Sequence, residues 1–76
     1  MSKNQDPMAR FVESCLQDEE IQKCTTNSEV FNVINRELQK AYKGRASVAH
    51  IAAVSEDAAE SVCLRMNIPW TENVNA

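Results

Sequence analysis

Three cysteines, one histidine and eleven carboxylates are the side chains of this 76-residue sequence with the chemistry for metal binding, redox exchange or proton transfer. A thiolate is a nucleophile and a soft metal ligand, and an imidazole changes charge near neutral pH. Spacing argues against both uses. Cys15, Cys24 and Cys63 form no CxxC pair, and only His50 is present to complete a zinc set. An odd, sparse cysteine count also misses the dense, even pattern of a secreted disulfide scaffold. The expectation is three reduced thiols that fill volume in apolar stripes.

The acidic runs Asp18-Glu19-Glu20 and Glu56-Asp57-Glu60 lack the alternating oxygens and central glycine of a calcium loop. A single glycine, Gly44, rules out a glycine-rich phosphate cradle. On a helix, His50 falls opposite the apolar stripe with no Cys or Asp at relay spacing. The sequence therefore predicts no catalytic residue, no metal and no cofactor.

One charged cluster remains. Arg36, Lys40 and Lys43 stand at i, i+4 and i+7, with Arg45 just beyond, which puts half of the eight Lys and Arg in one short stretch. Such a face can contact phosphate or an acidic partner. Cations near a helix C-terminus also complement the helix dipole. The aromatic within the stretch, Tyr42, falls on the apolar side of the helix, and a net charge of −3 gives no global field favouring nucleic acid or anionic membranes. A nucleic-acid-binding regulator using Arg36, Lys40, Lys43 and Arg45 is therefore the alternative function, not the first.

These residues need elements to position them. Asp6-Pro7 is a helix start, with Asp6 able to accept first-turn amides and Pro7 suited to the first helical position. Met8, Phe11, Val12, Cys15 and Leu16 then form one apolar stripe. Its phase slips at Asp18-Glu19-Glu20, so a first helix near 7–23 either bends there or Asp18 caps a second short piece. Thr26-Asn27-Ser28-Glu29 reads as a capping box opening a second helix near 27–43. Val30, Phe31, Ile34, Leu38, Ala41 and Tyr42 share its apolar side, and Asn32, Asn35, Arg36, Gln39 and Lys40 hold the other. Gly44 marks its left-handed stop.

The stretch SVAHIAAVSEDAAESVCLRM, residues 47–66, imitates a helix-turn-helix. Its apolar stripe of Val48, Ala52, Ser55, Ala59, Val62, Cys63 and Met66 runs through the supposed turn without changing phase, and no glycine lies between Ala53 and Glu56. One long helix near 46–66 is predicted, stopped at Asn67 and barred from continuing by Pro69. Outside that stripe lies an apolar surplus. Leu64 falls about 160° from Val48 and Val54 about 240°, so more than one side of the helix asks for burial.

The fold class expected is all-α: one domain over 1–76, with three helices and short flexible ends at 1–5 and 71–76. A chain this short gains burial by close packing or by oligomerising, and a homodimer or a small complex is expected. The function expected is a non-enzymatic protein-binding regulator or inhibitor. Val54, Leu64 and Trp70 would bury apolar area, while Arg36, Lys40, Lys43 and Arg45 set register on an acidic partner. A second alternative is an accessory structural subunit of a larger assembly. The start MSKNQDPMARF has no signal-peptide stretch and no apolar run is long enough for a membrane span, so the expected location is the cytoplasm, with no membrane partner.

Overall fold

The computed structural model describes residues 6–70, and all its regular elements are helices: α1 (Pro7–Leu16), α2 (Glu19–Gln22), α3 (Asn27–Tyr42) and α4 (Val48–Met66). The expected flexible ends, 1–5 and 71–76, lie outside the described residues. Four helices replace the three expected. The stretch 7–23 is two helices because Asp18, in extended backbone, turns its carboxylate onto the Glu20 amide and opens a new first turn. Two acids, Glu19 and Glu20, follow at the positive end of that turn, where the dipole favours them.

Local capping explains the other boundaries. The Asp6 side chain accepts the Met8 amide, with Pro7 at the first helical position. At α3 the capping box closes both ways: the Glu29 amide donates to Thr26 Oγ1, and the Glu29 carboxylate accepts the Thr25 and Thr26 amides at 2.8 and 3.3 Å. Those donors hold the Glu29 carboxyl below the usual carboxylate range. Lys43 rather than Gly44 takes the left-handed cap of α3 (φ 51°), and Gly44 continues with φ 83°. The Ser47 hydroxyl accepts the His50 amide and starts α4 at Val48, two residues later than expected.

Helix α4 runs unbroken through Ser55, so no helix-turn-helix exists here. It packs along α3 and crosses α1, while α2 joins α1 to α3. The core takes Val12 and Cys15 from α1, Ile21 from α2, Val30, Val33, Ile34 and Leu38 from α3, and Ile51, Ala58, Ala59, Val62 and Cys63 from α4. Ala58 and Ala59 are fully buried, which lets the α3 and α4 backbones approach closely. Ile21 anchors the four-residue α2, its burial contributing roughly 2–3 kcal/mol.

Two helix faces are rotated from expectation. On α4, Val48 is 76% exposed although it lies in phase with the stripe, because it begins the helix beyond the end of the core. Ile51 and Ala58 are buried in its place. On α3, Val33 is buried and Ala41 exposed, and Asn35, expected on the solvent side, is half-buried with its amide donating to Ser55 Oγ at 3.3 Å.

Candidate interaction surfaces

Cys15 and Cys63 are buried, Cys24 is half-buried, and all three are free. Burial pushes the Cys15 thiol up to about 11, with Asp18 and Glu37 adding to the effect. Burial also raises Cys24, helped by Glu29, Glu20 and Asp18, and raises Cys63 with Cys24 as the second cause. Each shift suppresses the thiolate and with it nucleophilicity and metal affinity. Among the described residues no group of three or more His, Cys, Asp or Glu is arranged to hold a metal ion. No described helix is long and apolar enough to cross a membrane.

The apolar residues singled out in the sequence separate into two places. Leu64 and Trp70 share one. The end of α4 is closed by a Schellman arrangement: Asn67 is left-handed (φ 61°), its amide donates to Leu64 O, and the Ile68 amide reaches back to Cys63 O at 2.9 Å. That reversal brings Ile68, Pro69 and Trp70 alongside the last turns of α4. Between them lies an open groove of about 620 Å³, lined by Glu60, Ser61, Cys63, Leu64, Asn67, Ile68, Pro69 and Trp70. Leu64 is 78% exposed on its edge. On the other side of Leu64 lies a second depression of about 310 Å³, lined by Met8, Ala9 and Val12 with Asp6, Glu13, Ser61 and Arg65. Leu64 is thus an apolar ridge between two hollows.

Val54 belongs elsewhere. It is half-buried against the core and lines a groove between α1, α3 and α4 with Met8, Phe11, Leu38 and Tyr42. The excess read on α4 is therefore divided: Val54 is largely covered by its own domain, and Leu64 is not.

The basic residues also divide. Arg36 donates to Glu20 at 2.6 Å, tying α3 to α2. Lys40, Lys43 and Arg45 are exposed, and among the described residues none of them has an ion-pair partner. They surround the α3–α4 turn, where the Tyr42 and His50 rings meet edge to face, their centroids 5.9 Å apart. One ion pair and one exposed apolar side chain carry no signal in the sequence. Glu13 accepts from Arg65 at 2.9 Å, linking α1 to α4 across 52 positions, and a separation so long leaves no local signal. Val48 was hidden by its favourable phase.

No protein-family model matches this chain, and no curated protein or solved structure does either. Fold and surfaces define a small all-helical domain with an apolar ridge at one end of α4 and a basic tip at the other.

Proposed function

We propose that this protein is a non-enzymatic protein-binding regulator or inhibitor module, cytoplasmic, working as a homodimer through the C-terminal half of α4. The observation that carries the reading is Leu64. A lone exposed leucine is ordinary on any protein surface. This one stands between two hollows with apolar walls, one of which contains the half-buried Trp70. A ridge flanked by grooves is self-complementary in form, as a two-fold interface requires, since each copy offers both the knob and its socket. Tryptophan anchors commonly dominate such contacts. Glu60, Arg65 and Glu13 would supply a polar rim.

Sedimentation equilibrium at micromolar concentration tests the reading. The expected result is a mass above 8.5 kDa for the wild type, reduced to 8.5 kDa by Leu64→Glu with helicity retained. A carboxylate set into a desolvated contact is costly, whereas on a water-facing position the same change is nearly silent. A wild-type monomer would end the homodimer reading and leave the ridge to a foreign protein.

A further inference from the structure

At the α3–α4 turn, Lys43 and Arg45 stand where helix energetics do not ask for them. Between Glu37 and Glu56 the chain carries no acid, and its charges are Lys40, Lys43 and Arg45. Lys40 lies in the last turn of α3, where the dipole favours it. Lys43 occupies a left-handed backbone position that glycine or asparagine fills with less strain. Arg45 lies two residues before the Ser47 cap of a 19-residue helix, the end at which a positive charge is disfavoured. Two carbonyls of the α3 terminus are bonded by backbone amides rather than by these side chains: the Lys43 amide bonds Gln39 O at 3.0 Å and the Arg45 amide bonds Tyr42 O at 2.9 Å. Three residues after Arg45, Val48 is 76% exposed on the first turn of α4.

We propose that this tip is a second interaction surface, independent of the Leu64 ridge, and that it takes an acidic peptide segment bearing an apolar side chain. Lys40, Lys43 and Arg45 pair with its carboxylates, and Val48 packs against the apolar residue. Charge complementarity names the partner's sign. Val48 favours peptide over a phosphate backbone, which would leave that side chain in water. The net charge of −3 weighs the same way, since three cations on an acidic molecule make a small footprint for nucleic acid.

Fluorescence anisotropy with a labelled Asp/Glu-rich peptide carrying one central leucine tests this at low salt, against the same peptide with Lys for Asp and Glu, an oligo(dT) strand and phosphatidylserine vesicles. Wild type is expected to bind the acidic peptide in preference to all three, and Leu64→Glu to bind it equally well. Arg45→Ser and Lys43→Gly should each weaken binding about fivefold. Both should melt at or above the wild-type temperature, a result that a purely structural role for these cations does not produce. Val48→Ser should weaken the acidic peptide and leave any residual oligo(dT) binding unchanged. Absence of acidic-peptide binding, or tighter binding of oligo(dT) or vesicles that Lys43→Gly and Arg45→Ser abolish, would overturn the peptide assignment.

Discussion

At Cys15, burial acts on a proton and so becomes measurable as a pH dependence. The thiol's ordinary value is 9.0 and its folded value is raised to about 11. Below pH 9 both the folded and the unfolded chain keep the proton, and the contribution to stability is complete. Between the two values the unfolded thiol ionises while the folded one does not, so stability falls as pH rises, by on the order of 2 kcal/mol for a shift of this size. Urea melts of wild type and Cys15→Val from pH 8 to pH 11 should show a steeper alkaline loss for wild type. Parallel curves would mean that the thiol ionises freely in the fold. Ser55 makes a second test at this scale. It is fully buried, and its hydroxyl accepts from Asn35, whose own carbonyl accepts from Gln39 at 2.7 Å. Ser55→Ala leaves the half-buried Asn35 amide without that acceptor, and a loss of about 0.5–1.5 kcal/mol is expected in a chemical melt. The same substitution in an Asn35→Ala background should then lose much less.

Helix α4 stands or falls as one element. Proline at Ser55 would remove a helical amide and clash with the preceding turn, at about 3 kcal/mol or more, but Ser55 is also a core residue. Glu56→Pro separates the two effects, because Glu56 is exposed and only the helix is altered. Both variants should lose most of a small domain's stability by thermal circular dichroism. A near-wild-type melt of Glu56→Pro would mean that the backbone tolerates a break there. The legibility of these elements follows the range of the forces that set them. Caps at Asp6, Asp18 and Thr26 are contacts between a side chain and an amide two or three residues away, so the sequence pattern carries them directly. The rotation of the buried faces is different. Val33 is covered and Val48 is not because of where α1, α2 and α3 end relative to α4, and helical phase holds no record of that. The candidate surfaces show the same division: the off-stripe position of Leu64 and the polar-face positions of Lys40 and Lys43 were legible from phase, whereas the Arg36–Glu20 and Glu13–Arg65 pairs needed the packed helices.

For the whole molecule the question is how 76 residues hold together with a core made largely of valine, isoleucine, alanine and cysteine. Small buried side chains contribute little area apiece, and in a domain of this size the margin over chain entropy is narrow. The proposed dimer would widen it by covering Leu64 and Trp70, and that coupling has a signature apart from mass. When folding and association are linked, the melting temperature rises with protein concentration, because dilution favours the separated unfolded chains. A tenfold increase in concentration adds about 1.4 kcal/mol per dimer, which for two chains of this length corresponds to a shift of about 4 °C. Thermal melts over two decades around the micromolar range should therefore shift upward for wild type. Leu64→Glu should melt at one temperature throughout, near the wild-type value at the lowest concentration, since its monomer keeps the same core. A concentration-independent wild type would place all the stability within one chain. A Leu64→Glu variant that melts far below dilute wild type would show that the side chain supports its own fold rather than a neighbour's.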